Sequence, residues 1–288
     1  GQTLVNGADS ALLYDTTVHY KRENEYLKYE GRITMIGNFA EAFAGIFGGL
    51  LAVYSLRFPF YAQACVAFIG IPAAFALQEF NTKGKVQSPV AEIIRIIKYS
   101  LFTNRQLCCN IMYSGIIGAA TLTMAWFVQP VLMYLETPTS WFGVIWTVLN
   151  LIVGVAALYS DKIEHRLGMN KMNLLILVCI AGGYLALAYN LTYWGLAILA
   201  LFYIVRGFAT PVLKGYINQL TFSDMRATVL SIRNFVIRLM FAGAAPFVGW
   251  LNDMYSLKTA LLASAGIIFI PGLIFLLLSF EVNHKKEE

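Results

Sequence analysis

The sequence predicts an all-α membrane protein that crosses the bilayer many times. Hydrophobic residues make up 58% of its 288 residues and charged residues only 13%, a balance far from that of soluble domains. Apolar runs of about 20 residues, the length that spans a bilayer, recur along the whole chain. They are long and continuous, contain interior Gly and Pro, and lack the short alternating segments of a membrane β-barrel.

Nine of these runs are predicted to be transmembrane helices. In chain order they cover residues 1–15, 33–56, 59–79, 107–134, 141–159, 172–189, 193–220, 229–252 and 259–280. Between the third and fourth runs, residues 80–106 are basic and polar. Within them, PVAEIIRIIKY at 89–99 alternates apolar and charged residues with helical spacing, which predicts an amphipathic helix on the membrane surface. A linker role is favoured over binding of a partner.

Basic residues predict the orientation of the chain in the membrane. Sixteen of the 21 Lys and Arg residues belong to one alternating set of connections, whereas the opposite set holds only Arg57 and Lys258. By the positive-inside rule, the longer loops and the C-terminus are cytoplasmic, and the short turns near 57, 137, 191 and 255 face outside. The net charge of +5 therefore indicates topology and anionic lipid headgroups rather than nucleic acid.

An internal repeat relates two of the predicted helices. EGRITMIG at 30–37 and DMRATVLS at 224–231 share the pattern acidic, any, Arg, any, Thr, apolar, apolar, small. GGLLAVYSLR at 48–57 similarly matches GWLNDMYSLK at 249–258. Chance similarity of apolar helices is the alternative, but both matches fall at the entry and exit of one helix. The repeat predicts a two-fold protein in which three helices precede residue 1, so that this chain is a fragment.

On these features the chain resembles the major facilitator superfamily over nearly its whole length. SDKIEHRLGMNK at 160–171 is similar to the D-[KR]-x-x-x-R-x-G loop of that family, and DMRATVLS is similar to the entry of its eleventh helix. The basic stretch 80–106 resembles the connector between halves, and GADSALLYD at 7–15 resembles the end of a fourth helix. The loop departs from the pattern at Tyr159 and Ser160, where a Gly-containing opening is typical. Helix 33–56 has no Pro and so lacks the antiporter signature.

The resemblance implies a fold, a domain organisation and a function. It implies nine of twelve helices: residues 1–80 as the remainder of an N-terminal bundle, 81–106 as the connector, and 107–288 as a C-terminal six-helix bundle with a cytoplasmic tail. It also implies a secondary active transporter in a plasma membrane, of the bacterial inner-membrane kind, which moves a small solute by alternating access with a proton or solute gradient. The alternative is a membrane sensor or scaffold that has kept the fold without transport.

Charged residues at the predicted cytoplasmic loops are candidates for a gate. Asp161 and Arg166 can pair with each other or with charges on a neighbouring helix, and Gly168 permits a tight turn. The repeat extends this interpretation to Arg226 with Asp224, and to Arg32 with Glu30. A solvated loop that only sets topology is the alternative. The gate candidates are Asp15, placed near Arg32, together with Arg32, Asp161, Arg166, Gly168, Asp224 and Arg226.

Charges inside the predicted spans are costly in a bilayer and are therefore candidates for a central site. Glu41, Arg206 and Arg238 lie about 14, 20 and 18 Å from the ends of their helices by helical rise. We expect the two arginines to face a cavity, with Glu41 as counter-ion or coupling group; an ion-pair cluster that fixes helix packing is the alternative. The cations hint at an anionic or zwitterionic solute. Lys214 either snorkels or joins the gate. Further substrate candidates are Asp9, Asn38, Trp126, Gln129 and Asn150.

Other chemistry is poorly represented in the sequence. The four cysteines, Cys65, Cys108, Cys109 and Cys179, have no C-x-x-C spacing, and the three histidines are scattered. Neither a catalytic constellation nor a phosphate loop is visible. We therefore expect no enzyme activity, no metal site and no cofactor. The expected partners are a small solute, the lipid bilayer and protons as a coupling ion, without nucleic acid.

Overall fold

The computed structural model describes residues 2–55, 57–75, 89–138 and 141–287. These residues form ten α-helices. The helices are α1 (Gln2–His19), α2 (Tyr26–Tyr54), α3 (Phe58–Phe75), α4 (Pro89–Lys98), α5 (Arg105–Tyr134), α6 (Phe142–Leu158), α7 (Ser160–Tyr189), α8 (Gly195–Gln219), α9 (Arg226–Met254) and α10 (Leu257–Glu287). The end of the third predicted span, residues 76–79, lies outside the described residues.

The stretch 160–171, predicted as a loop, is largely helical. Helix α7 begins at Ser160 and is interrupted at Gly168, which adopts φ 71° and ψ 165°. This conformation is essentially restricted to glycine, since a Cβ atom would clash with the backbone. The prediction of a loop over 160–171 is therefore wrong, because only Gly168 breaks the helical path. A short helical stretch before the break carries Asp161 and Arg166.

Helix α4 is the amphipathic element predicted between the third and fourth spans. Val90, Ile93 and Ile94 are exposed on it, while Ile96 is buried where α4 packs against α9. A π-helical turn, Tyr99–Thr103, leads to Asn104, whose side chain caps α5 by accepting a hydrogen bond from the backbone N–H of Leu107 at 3.1 Å. The π-helical turn and the Asn104 cap thus form the connection between α4 and α5.

Five of the described helices are long and apolar enough to cross a membrane: α5, α7, α8, α9 and residues 257–281 of α10. Helices α3 and α6 are apolar but shorter. Helix α2 has 29 residues, so at about 1.5 Å per residue it has the length to span a bilayer. The chain is therefore a multi-pass helical membrane protein, and the count of nine spans stays a prediction.

The main apolar core lies among α5, α6, α7, α8 and α10. Tyr184, Phe202 and Tyr203 are among its largest fully buried side chains, and the Tyr184 hydroxyl donates to the backbone oxygen of Ala120 at 2.7 Å. Helix α2 packs along α6 and α8, and α1 packs along α9. Contacts between side chains bring one set of helix ends together: the ends of α1, α8 and α10 and the starts of α2, α5, α7 and α9. We call this the basic end, because most basic loops lie there.

Candidate functional site

A buried carboxylate, Glu30, joins three helices near the basic end. Its side chain is 1% exposed and pairs with Lys214 Nζ on α8 at 2.8 Å. Ser10 on α1 donates to the same carboxylate oxygen at 3.0 Å, and Lys214 also donates to the Ser10 hydroxyl at 2.9 Å. Tyr26 donates to the other oxygen at 3.2 Å, and Asn218 in turn donates to the Tyr26 hydroxyl at 2.9 Å. Each of these groups donates a hydrogen bond to the carboxylate, directly or through Ser10 or Tyr26.

A second ion pair lies beside this group. Arg226, the first residue of α9, pairs with Asp15 on α1 and donates to the backbone oxygen of Thr221 at 2.8 Å. Its guanidinium lies 4.1 Å from the centre of the Tyr14 ring, within cation–π range. Arg226 is buried and Asp15 is partly buried. Together, the two ion pairs and their hydrogen-bond partners hold α1 and α2 against α8 and α9, and we call them the latch.

The latch also faces the buried Arg233. Arg233 on α9 donates from Nε to the Ser114 hydroxyl on α5 at 2.6 Å and from Nη1 to the side chain of Asn234 at 3.0 Å. Glu30 acts on it electrostatically from across the helix interface. Arg233 lies inside α9, within the predicted span 229–252. Glu30 pairs with the partly buried Lys214 and also interacts with Arg233, which makes its charge central to this interface.

Small residues bring the helix backbones close together near the latch. A Cβ atom on Gly31 would lie 2.4 Å from the backbone oxygen of Ala157 on α6. On α8, a Cβ atom on Gly215 would lie 3.3 Å from Leu27. A side chain on Gly31 would thus need the α2 and α6 backbones to separate, whereas Gly215 faces a movable side chain.

Several gate candidates have partners other than those predicted. Asp15 pairs with Arg226 rather than lying with Arg32, because α1 packs on α9; Arg32 is exposed above the Tyr29 ring. Asp161 Oδ1 lies 3.3 Å from His165 Nε2, and no described ion pair joins Asp161 to Arg166. A separation of five residues places Asp161 and Arg166 about 140° apart around a helix, whereas four residues bring side chains together. Asp224 is exposed, and Arg226 turns from it to Asp15.

The contact between Glu30 and Lys214 also sets the register of α2 against α8. The two helices run in opposite directions, so moving eleven residues along α2 and eleven back along α8 leads from this pair to Glu41 and Tyr203. Eleven residues are about three turns, which return to the same face within roughly 20° and rise about 16 Å. Glu41 does act electrostatically on the Tyr203 hydroxyl. A second level of polar groups therefore faces across the same interface, close to the middle of both helices.

Two buried polar groups at this upper level lack an acceptor among the described residues. Tyr203 is 0% exposed; its hydroxyl interacts with the Arg206 side chain, which can only donate, and Nη1 of Arg206 is buried without a partner. The Arg206 guanidinium carbon lies 5.5 Å from the Tyr203 ring centre. An unpaired buried donor costs about 1–3 kcal/mol, so such donors in a folded protein usually bind water or a ligand.

Three sequence candidates share this level with Tyr203. Glu41 is exposed, and no ion pair within the described part of the chain involves it. Asn38 lies one turn before Glu41 and donates to the backbone oxygen of Thr34 at 2.7 Å. Asn150 on α6 is buried and donates to the backbone oxygen of Trp146 at 3.0 Å. We call Glu41, Tyr203 and Arg206 the central group.

The remaining substrate candidates lie apart from the central group. Arg238 is exposed on α9, five residues from Arg233 and so about 140° around the helix from that buried side chain. Asp9 is exposed beside Ser10, at the latch. Trp126, 68% exposed, and Gln129 lie in the last third of α5, toward the end opposite the latch. None of the described contacts joins these four residues to Glu41 or Arg206.

Sequence reasoning found the charges but missed several of their neutral partners. Ser10, Tyr26 and Tyr203 were not singled out, although Tyr203 precedes Arg206 by three residues and so shares its helix face. The sequence left open whether the Lys214 side chain snorkels or joins the gate. In the structure Lys214 belongs to the latch. Among the described residues, no group of three or more His, Cys, Asp or Glu side chains could hold a metal ion.

The fold and the site define a class of protein. The chain is a multi-pass helical membrane protein in which charged residues meet across the interfaces of several helices. Residues 16–245 match the family model of the Major Facilitator Superfamily. The chain belongs to this superfamily, whose members are membrane transporters. A search of curated proteins found no match.

Proposed function

We propose that this protein is a secondary active transporter that moves a small solute by alternating access. The observation that carries the proposal is the latch, in which ion pairs join α1 and α2 to α8 and α9 at the basic end; the described residues form no such pair at the opposite end. Such pairs stabilise one conformation and must separate in the other, which is what a gate requires. The central group lies about 16 Å deeper, near mid-membrane, where transporters bind their solutes.

We further propose that α1–α3 belong to one helix bundle and α5–α10 to a second, with α4 as the connector. The latch and the central group then both lie between the bundles. Rocking of one bundle against the other would open the latch while keeping the central group accessible to the solute. Gly31 supports this mechanism, since a Cβ atom there would lie 2.4 Å from the backbone oxygen of Ala157, so the α2 and α6 backbones approach closely at this point.

The burial pattern supports a state closed at the basic end. In α9, the buried residues concentrate in its first third, from Arg226 to Val236, and only Val248 is buried beyond them. In α2, Tyr26, Glu30 and Gly31 are buried, whereas Glu41 is exposed. The distribution of basic residues supports a cytoplasmic location of this end and of the C-terminus, which the proposal places in a plasma membrane. The conformation is accordingly closed to the cytoplasm.

Coupling to a proton gradient fits the acidic residues at the interface. Glu41 is the candidate coupling group, because it is exposed near mid-membrane and has no ion-pair partner among the described residues. Its protonation would remove the negative charge that faces Tyr203. A membrane sensor or scaffold is the second candidate function, favoured by the well-formed latch alone, since a switch without transport would also use one.

Transport by the purified full-length protein in proteoliposomes tests the proposal. Labelled amino acids, a hexose, mono- and dicarboxylates and amines are supplied with and without an inward proton gradient, beside protein-free liposomes. We expect at least one solute to accumulate at least fivefold above protein-free liposomes. We expect Lys214→Met to reduce this uptake at least tenfold and Arg57→Gln, at an exposed turn, to leave it unchanged. A solute that binds and changes the latch without crossing the membrane would favour the sensor.

A further inference from the structure

We infer that the central group binds a small organic zwitterion that carries an ammonium and a carboxylate. The inference rests on the proposed function for the location of the site. It goes further by deriving the class of solute from the hydrogen-bonding needs of three side chains. Arg206 and Tyr203 each lack a hydrogen-bond acceptor, and Glu41 lacks a cationic donor.

Arg206 and Tyr203 call for an acceptor. The Nη1 group of Arg206 can only donate, and it is buried without a partner among the described residues. The buried Tyr203 hydroxyl lies on the same face of α8 and interacts with Arg206, which can only donate to it, so its own O–H still lacks an acceptor. A carboxylate accepts from both and also neutralises the guanidinium, so it matches this side of the group better than a neutral oxygen does.

Glu41, by contrast, requires a cationic hydrogen-bond donor. Its carboxylate can only accept when ionised, it is exposed, and no described ion pair supplies it with a cation. Lys214, a cation that could serve it, is held by Glu30 three turns away. An ammonium group on the solute meets this need, and a solute with only a carboxylate leaves it unmet.

The spacing of the charges fits a compact zwitterion. Glu41 lies opposite Tyr203 in the register of the two helices, and Arg206 follows Tyr203 by three residues. The cation and the anion of the site are thus offset by about 4.5 Å along the helix axes. No described ion pair joins them within 4.0 Å, so each charge remains available to a solute. A solute whose two charges are close together satisfies both ends at once.

Binding of matched analogues to the purified full-length protein in lipid nanodiscs tests this inference. The probes are amino acids, each with its deaminated acid, its decarboxylated amine and an uncharged alcohol of the same skeleton, together with a hexose. Binding is measured by the shift in thermal unfolding and by competition with the labelled zwitterion. We expect at least one zwitterion to bind at least tenfold more tightly than its three analogues.

Charge-changing variants then identify which residue meets which group. Glu41→Gln is expected to weaken the zwitterion at least tenfold and to bring its affinity to or below that of the deaminated acid. Arg206→Gln is expected to reverse the preference toward the amine, and Tyr203→Phe to weaken both without changing their order. Arg57→Gln is the control. If Arg206→Gln does not fold, Arg206→Lys is expected to retain the preference for a carboxylate with lower affinity.

Two results would overturn the inference. One is binding of the hexose or the alcohols at least as tight as that of every zwitterion, and the other is an equal loss of all ligands in the Glu41 and Arg206 variants. Either result leaves the proposed function standing if proteoliposomes still accumulate a solute in a manner that depends on Lys214. Conversely, zwitterion binding with the expected charge reversal but no transport upholds the inference and removes the proposed function.

Discussion

At the scale of single residues, Glu30 is the side chain on which most of the latch depends. It accepts hydrogen bonds from Ser10, Tyr26 and Lys214 while being almost fully buried. A buried ion pair adds little net stability relative to an apolar pair, since desolvation offsets the attraction. Loss of one partner is different, because it leaves the other charge buried and unneutralised. Removing one member of the Glu30–Lys214 ion pair should therefore lower the free energy of unfolding more than removing both.

We predict that Lys214→Met lowers the free energy of unfolding by about 3 kcal/mol, because Glu30 is left as an unpaired buried charge. The double variant Glu30→Gln with Lys214→Met should regain most of that loss. Unfolding of the chain in detergent micelles, followed by circular dichroism during a titration with sodium dodecyl sulfate, provides the measurement.

Lys258→Met is the matched control for this prediction. Lys258 is exposed and lies 4.6 Å from the Tyr189 ring centre at the opposite end of the molecule, so its loss should cost at most about 1 kcal/mol. Equal destabilisation by the two lysine substitutions, or additive effects in the double variant, would show that Glu30 and Lys214 are not coupled.

The sequence predicts charged residues at this scale better than it predicts their partners. Glu41, Arg206 and Arg226 stand out because a charge inside an apolar run is costly. The pairing of Asp15 with Arg226 instead of Arg32 depends on the packing of α1 against α9, which residues distant in sequence determine. A buried Ser or Tyr carries no such signal until the helix that faces it is known.

At the scale of elements, the helices are the most predictable feature and their ends the least. Apolar runs of the correct length gave the spans of α5, α6 and α8 to within a few residues. Charged residues at the starts of α2 and α7 were assigned to loops, although these residues form helix that extends beyond the apolar stretch. The length of an apolar run indicates how much of a helix lies in lipid. It does not indicate how far the helix continues beyond the lipid.

The contact of α2 with α6 depends on small residues, and this gives a second prediction. Gly31→Val should lower the free energy of unfolding by about 2 kcal/mol or more, because its Cβ would fall 2.4 Å from a backbone oxygen of α6 and neither helix can yield locally. The detergent titration described for Lys214 measures this effect.

Gly37→Ala serves as the control on the same helix. No atom lies within 4 Å of a Cβ built at Gly37, so alanine should be neutral or stabilise α2 by up to about 1 kcal/mol through its higher helix propensity. If Gly31→Val proved as stable as Gly37→Ala, α2 and α6 would not approach as closely as described.

At the scale of the whole molecule, polar contacts occur at two levels of one interface. The latch closes the basic end, and the central group lies about three helical turns deeper on the same faces of α2 and α8. The sequence predicted both levels as candidates, but not that the same two helices form them. The further helices predicted before residue 1 stay a prediction.

The central claim is that the latch keeps the basic end closed. Val18 on α1 and Gln219 on α8 are exposed and line the same cleft, of about 440 Å³, beside the latch. Spin labels at Val18→Cys and Gln219→Cys, in a chain whose four native cysteines are replaced by serine, would report the distance across it by pulsed electron paramagnetic resonance. The labelled chain with Arg57→Gln serves as the control.

We predict one dominant short distance in the parent protein and in the Arg57→Gln control. Addition of Lys214→Met should produce a second population at longer distance, because the ion pair that joins α2 to α8 is lost. Identical distance distributions with and without Lys214→Met would contradict the claim that the latch holds this end closed.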